Sequence, residues 1–302
     1  MAYTKESKTF LSPDKTTEIA YYVYTPDVTP KAVFHIIHGM CGYMEKYERF
    51  AEFMCSNGIV VCGCDQRGHG RLAAEKNELG FFGNKNGYMF FSKDNEELRK
   101  IMREKYRRLP YIMFGHSMGS LILRDYILDY GENIDGAILS GIIRSDVAIK
   151  KLMRISGLLT LFKGGKNHSE TLDKAVMGDF NDEFSEGEKK EVFENFTFTI
   201  KGYNDFAKLM NEVMYPQYAY DILKSLPVFL MCGQNDGIGD NGKAVNDLYA
   251  ALEDAEVNSI AKKIYENKGH ELVNCDNPEA VYADILEWTE SVIEGVVACA
   301  TL

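Results

Sequence analysis

The sequence predicts an α/β fold with a mostly parallel sheet covered by helices on both faces. Two observations carry this expectation. Short apolar runs alternate with stretches whose apolar residues recur at helical spacing. Several runs, such as 32–37 and 59–64, are apolar throughout, as strands buried on both faces are. A third observation bounds it: 302 residues with 45% apolar and 26% charged content make one large globular domain, or a core with a sizeable insertion.

The elements follow in order. Residues 19–25 have the aromatic and β-branched content of a strand, and 32–37 form a second strand that ends at His38-Gly39. Residues 46–57 place Tyr47, Phe50, Phe53 and Met54 at helical spacing and stop at Asn57-Gly58. Strand 59–64 is followed by the charged helix 93–108, with Leu98, Ile101 and Met102 on one face. Strand 111–114, helix 118–130 and strand 136–140 come next, then strand 227–232, helix 243–253 and strand 259–265. Asp276-Asn277-Pro278 begins the last helix with a cap and a proline near the first turn.

The stretch 141–226 breaks the rhythm. It reads as helices over 147–162, 188–196 and 203–214 with Gly164-Gly165 and polar loops between, too long for a simple connection. The expected organisation is therefore a core of 1–143 and 223–302, with 144–222 inserted as a helical cap over the strand ends.

Charge and cysteines exclude several classes. The 34 Lys and Arg face 45 Asp and Glu, a net charge of −11, so no basic face exists for phosphates and a nucleic-acid partner is not expected. Residues 1–14 hold no apolar run of signal-peptide length, and no stretch approaches about 18 uninterrupted apolar residues, so the expectation is a cytoplasmic protein without a spanning helix. The seven cysteines are Cys41, Cys55, Cys62, Cys64, Cys232, Cys275 and Cys299. Their odd number and apolar neighbours read as reduced, buried thiols. Cys62-Gly63-Cys64 has no second pair at a ligand spacing, so no metal is expected.

The chemistry centres on Gly115-His116-Ser117-Met118-Gly119, which follows a strand and opens a helix. This is the nucleophile-elbow pattern, in which a strained turn lifts a serine oxygen above a sheet. A serine hydroxyl needs a base, and the chain order in this arrangement is serine, acid, histidine. Two histidines follow Ser117. His270 lies in a loop between the last strand and the last helix, where a base reaches over the sheet end; His168 lies in a polar loop of the cap. The acid belongs at the end of the preceding strand, where Asp236 stands, with Asp240 as the rival whose other role is helix capping. A developing oxyanion needs two N–H donors. The amide of Met118 supplies one at a helix start, and the amide of Met40, after Gly39, supplies the other. His38 reads as a loop histidine. Arg67 and His69 in Asp65-Gln66-Arg67-Gly68-His69-Gly70 either brace the active-site loops or bind substrate; no third glycine makes this a dinucleotide loop.

Together, His38-Gly39-Met40, the Asp65–Gly70 motif, the Gly115–Gly119 motif, Asp236 and His270 resemble the α/β-hydrolase superfamily, and within it the monoacylglycerol lipase/lysophospholipase branch, also called serine aminopeptidase-like hydrolases. The resemblance spans essentially the whole chain and is weakest in the cap. It implies an eight-stranded, mostly parallel sheet, a helical lid, no cofactor and hydrolysis of acyl esters. It also implies a catalytic triad of Ser117, Asp236 and His270 with Met40 and Met118 as oxyanion amides. One departure stands out: after Arg67-Gly68-His69-Gly70 the family usually continues with serine, and here Arg71 stands.

The leading reading is a serine carboxylester hydrolase of monoacylglycerol or lysophospholipid type. Alternatives on the same triad are a serine aminopeptidase, with Glu183, Glu186 and Glu188 as candidates to hold an α-ammonium, and an acyltransferase. A non-catalytic binding protein on the same fold is the reading from a different class. The stripe Ile149, Leu152, Met153, Leu159 and Phe162 either packs the cap onto the core, lines an acyl groove or rests transiently on a membrane surface. Phe81, Phe82, Phe90 and Phe91 read as core near the mouth of the site.

Overall fold

The computed structural model describes residues 3–144, 149–177, 193 and 196–300, with only the backbone of 299 and 300. Its strands are β1 (Tyr3–Leu11), β2 (Glu18–Pro26), β3 (Ala32–Ile37), β4 (Ile59–Cys64), β5 (Tyr111–His116), β6 (Gly136–Ser140), β7 (Val228–Gly233) and β8 (Ile260–Tyr265). They form one sheet in the order β1-β2-β4-β3-β5-β6-β7-β8. The β1–β2 and β2–β4 pairs are antiparallel, and all the others are parallel. This is the α/β-hydrolase architecture that the motifs imply.

The strands bury both faces, yet their period of two still sorts side chains. In β4, Val60, Cys62 and Cys64 join one core while Ile59 and Val61 join the other. In β5, Tyr111 and Met113 face the first core, and Ile112 and Phe114 the second. The second core is closed by α1 (Glu48–Ser56), through Phe50 and Met54, and by α10 (Glu279–Ala300), through Val281 and Ile285. Helices α3 (Met89–Lys105), α4 (Met118–Tyr130) and α9 (Lys243–Asp254) lie on the first core. The short α2 (Gly70–Glu75) follows β4.

Several expectations differ from the structure: a helix spans Glu170–Met177, where polar loops are expected, and the helix Gly70–Glu75 has no counterpart in the sequence reading. The edge strand β1 has no counterpart in the sequence reading, because its YTKESKTFL pattern has no apolar run and most of it is exposed. Helix α3 starts four residues earlier than expected, at Met89, so Phe91 belongs to it and is fully buried.

Between β6 and β7 lie α5 (Ile149–Lys163), α6 (Glu170–Met177), α7 (Ile200–Val213) and α8 (Tyr218–Asp221). Helix α7 packs on α4, and α5 packs on α7. The N-terminus of α7 is fastened down: Thr199 N–H and its hydroxyl both donate to Gly80 O, at 3.1 and 3.0 Å, and Gly202 N–H donates to Thr199 Oγ1 at 3.0 Å. Phe198, Ile200, Tyr203 and Phe206 join the same core as the sheet. The expected helix 188–196 falls almost wholly outside the described residues, as do Glu183, Glu186 and Glu188.

The α5 stripe is divided rather than continuous. Leu152 is buried, and Ile149, Met153 and Leu159 lie part-buried against the core, whereas Phe162 is 85% exposed. At about 100° per residue, Leu159 is turned only about 20° from Leu152 but Phe162 about 80°. Phe162 instead continues a second, outward row with Ile155, Leu158 and Leu161.

Candidate active site

Met40, Ser117, Met118, Asp236 and His270 lie just beyond the carboxyl ends of β3, β5, β7 and β8, where ligands bind in such sheets. Strand β5 ends at His116 and α4 starts at Met118, so Ser117 forms the whole turn. Its backbone is forced to φ 55°, ψ −118°, a conformation a residue with a Cβ adopts only under restraint. Ser117 N–H donates to Ser140 O at 2.9 Å, and Ser117 O accepts from Ser120 N–H at 2.8 Å.

The flanking glycines have steric reasons. A Cβ on Gly115 would lie 2.4 Å from Gly119 O, and one on Gly119 would lie 2.0 Å from Ile37 O. Gly119→Ala is therefore expected to cost about 3 kcal/mol or more, while Gly295→Ala, on the exposed face of α10 with nothing within 4 Å, gains about 1 kcal/mol. Urea midpoints of the two variants test this; equal stabilities would show that the elbow is not close-packed.

The loop that carries His270 is placed by β7 and β8. A Cβ on Gly233 would lie 2.1 Å from Lys268 O, so only glycine lets the 268–270 segment lie over the end of β7. There His270 Nδ1 is 3.0 Å from Asp236 Oδ1, with both residues buried. Asp236 Oδ1 also accepts from Gly239 N–H at 3.1 Å. Asp240, the rival, sits at φ 54° with its carbonyl accepting from Lys243 N–H, and it lines a different cavity. His168 is exposed, with Nδ1 3.3 Å from Thr197 Oγ1 in the cap.

The loop after β3 lies against the elbow: a Cβ on Gly39 would be 3.1 Å from Ser117 Cβ. The Gly39–Met40 peptide thus runs beside Ser117. Met118 N–H is the first of α4, one of the amides that a helix start leaves without an intrahelical acceptor.

Three further side chains hold these loops. His38 is fully buried; Nδ1 is 2.8 Å from Gly39 O and Nε2 accepts from Gln66 N–H at 2.8 Å, which requires the neutral Nδ1–H tautomer. Burial, with His69 nearby, holds its pKa well below the ordinary histidine value. Arg67 is buried and donates from Nε to Asp94 Oδ2 at 2.9 Å, from Nη1 to Asp14 and Phe82 O, and from Nη2 to Ser12 Oγ. All its donors face protein acceptors, so it braces. His69 Nδ1 lies 3.1 Å from Arg67 O, the ring stacks on Phe82, and burial lowers its pKa to about 4. Arg71, the departure from the family pattern, lies over the Phe193 ring at 5.3 Å.

The sequence reading missed Glu271. Its Oε1 is 3.3 Å from His116 Nε2 and 3.2 Å from Lys46 Nζ. Burial raises its pKa, but His116, Lys46 and His270 outweigh this and hold it well below the usual carboxylate range. Glu271, next to His270, is thereby tied to His116, next to Ser117, and the His116 and His270 rings are 4.8 Å apart. The only signal in the sequence is its adjacency to His270. Among the described residues, no group of three or more His, Cys, Asp or Glu is placed to hold a metal ion, six cysteines are free thiols, and no helix is long and apolar enough to cross a membrane.

Comparison with known proteins fits this geometry. The profile of the family described as Serine aminopeptidase, S33 matches residues 28–276. A monoacylglycerol lipase of Mycolicibacterium smegmatis is 32% identical over 123 residues, 41% of this chain and 42% of that one, so the match spans less than half of that relative. Phospholipase YtpA of Bacillus subtilis is 23% identical over 87% of this chain and 97% of that one. Among solved structures, a thermostable carboxyl esterase from Bacillus coagulans superposes with a TM-score of 0.88 at 26% identity, covering 96% of this chain and 99% of that one.

Proposed function

The chain belongs to the Serine aminopeptidase, S33 family, and from that premise we propose that it is a serine hydrolase that cleaves carboxylic esters of monoacylglycerol or lysophospholipid type. The observation that carries this reading is the contact of His270 Nδ1 with Asp236 Oδ1 at 3.0 Å, with the His270 ring 4.8 Å from that of His116, the residue before the strained Ser117 at a helix start. Ser117 Oγ attacks the ester carbonyl while His270 Nε2 takes its proton. Asp236 accepts from Nδ1–H, fixes the tautomer and stabilises the imidazolium. The amides of Met40 and Met118 hold the oxyanion. The tetrahedral intermediate collapses as His270 protonates the leaving alcohol, and water repeats the sequence on the acyl-enzyme.

Lipid esters are favoured over peptides by two observations. The relatives named above are a lipase, a phospholipase and an esterase. The outward row of α5, Ile155, Leu158, Leu161 and Phe162, is 36 to 85% exposed, an apolar face suited to a lipid surface. The cap, 144–222, is then the element that meets substrate. The test is a panel of p-nitrophenyl esters of graded length beside aminoacyl anilides. Each buried methylene is worth about 0.8 kcal/mol, so kcat/KM should rise about fourfold per methylene until added methylenes are no longer buried. Efficient cleavage of anilides with no gain from longer acyl chains reverses the assignment to aminopeptidase.

The base also sets a pH dependence. Acylation needs neutral His270, so kcat/KM is expected to rise with pH through one ionisation near the reference histidine value of about 6.5. A profile that is flat from mildly acidic to neutral pH, with chemistry rate-limiting, removes the general-base role.

A further inference from the structure

Helix α5 and the turn after it carry charge of one sign only. Residues 149–168 hold Lys150, Lys151, Arg154, Lys163 and Lys166 and no acid, while the rest of the chain has 29 basic residues against 45 acidic ones, a net charge of −16. All five cations are exposed, and among the described residues none lies at ion-pair distance from a carboxylate. On the neighbouring helix α7 the lysines are paired: Lys201 and Lys208 both reach Asp205, at 3.3 and 3.9 Å.

Two of the five have a local role. Lys163 closes the helix, where a positive charge suits the C-terminal end of the dipole, and Lys166 Nζ lies 4.7 Å from the centroid of the Phe81 ring. Lys150, Lys151 and Arg154 have none. They occupy the first two turns, where the dipole opposes positive charge, and no acid stands in the first turn to offset them. Arg154 follows Lys150 by four residues and Lys151 by three, so the three repel one another along the helix. Helix stability therefore does not account for them. At about 100° per residue they fall in the same outward arc, about 140° wide, as the apolar row from Ile155 to Phe162, while Leu152 and Ser156 are buried on the other side. The outward face is thus basic in its N-terminal half and apolar in its C-terminal half, where Leu161 is 81% and Phe162 85% exposed.

We propose that the outward face of α5 docks on an anionic phospholipid bilayer and selects it over a zwitterionic one, with Leu161 and Phe162 entering the interface and Lys150, Lys151 and Arg154 meeting lipid phosphates. Apolar tips beside a cluster of cations match a surface that is apolar below and negative above. The remainder of the molecule, at −16, is repelled by the same surface, so attraction and repulsion together turn α5 toward the bilayer. A zwitterionic surface offers the apolar half of the contact and leaves the basic half without a counter-charge. The proposal deepens the lipid-ester reading and rests on it for the choice of a lipid partner over an acidic protein.

The test is flotation of the protein with vesicles of diether phosphatidylcholine, alone or mixed with an equal part of diether phosphatidylglycerol; the ether bonds keep the lipid from being an ester substrate. The parent protein is expected to bind the mixed vesicles at least about tenfold more tightly than the others and to lose most of that preference at high salt. A variant with Lys150→Gln, Lys151→Gln and Arg154→Gln is expected to lose at least about tenfold on the mixed vesicles and to keep the parent's affinity for phosphatidylcholine. Leu161→Ser with Phe162→Ser is expected to weaken binding to both. Lys100→Gln with Lys105→Gln, which removes two exposed cations of α3, is expected to bind as the parent does. No binding to the mixed vesicles, equal binding to both kinds, or a triple variant that loses no more than the α3 pair overturns the proposal. Hydrolysis of a soluble p-nitrophenyl ester is read separately. A protein that floats with anionic vesicles but cleaves no ester loses the esterase reading and keeps the docking face; one that cleaves the ester without floating loses the docking face alone.

Discussion

Ser117→Ala is expected to fold like the parent protein and to hydrolyse its best ester at least about 10⁴-fold more slowly. The fold should survive because the elbow is held by its backbone. Ser117 N–H donates to Ser140 O and Ser117 O accepts from Ser120 N–H, and alanine keeps both bonds. The strain at φ 55° arises from having a Cβ at all, which serine and alanine share. What is removed is the nucleophile alone. The amides of Met40 and Met118 remain and are expected to leave a residual rate about 10³-fold above water. Turnover of a p-nitrophenyl ester, read beside thermal melts, checks both halves. A folded variant that keeps a tenth of the parent activity would mean that Ser117 is not the nucleophile, and continued labelling by a fluorophosphonate would point to another serine.

Much of this arrangement was legible because the chemistry constrains residue types. Gly115 and Gly119 announce the elbow since a Cβ at either would strike backbone at 2.4 or 2.0 Å. Strands β3, β4 and β6 are legible to the residue because fully buried strands are apolar runs cut off by turn residues. Strand β1 is not, since antiparallel pairing to β2 holds it at the sheet edge and its side chains are mostly solvated. The placement of β4 between β2 and β3 depends on contacts between distant segments and has no local signature. Glu271 escaped for the same reason: its partners, His116 and Lys46, come from two other elements. Phe162 misled through a loose count of helical spacing, in which a residue about 80° off the stripe passes for one on it.

Asp236→Asn is expected to lower kcat by about 10³- to 10⁴-fold, whereas Asp240→Asn stays within about threefold, as mild changes away from reacting groups do. The difference follows from what each carboxylate touches. Asp236 Oδ1 receives both His270 Nδ1–H, at 3.0 Å, and Gly239 N–H, at 3.1 Å. An asparagine there has two ways to sit. If its amide nitrogen faces His270, Nδ1 becomes an acceptor, the ring proton moves to Nε2, and the base is blocked at the atom that must take the serine proton. If its oxygen keeps both bonds, the tautomer survives but a neutral group replaces the charge that stabilises the imidazolium. Both lower the rate, and the second also lowers the pH midpoint of kcat/KM, because the imidazolium loses its counter-charge. Asp240 has neither contact. It turns the chain at φ 54°, where asparagine is as well accommodated as aspartate, and its carbonyl, unchanged in the variant, accepts from Lys243 N–H at 3.0 Å. Steady-state kinetics of the two variants across pH decides between them: a greater loss in Asp240→Asn, or an Asp236→Asn protein with the parent's pH midpoint and turnover, would move the acid out of position 236.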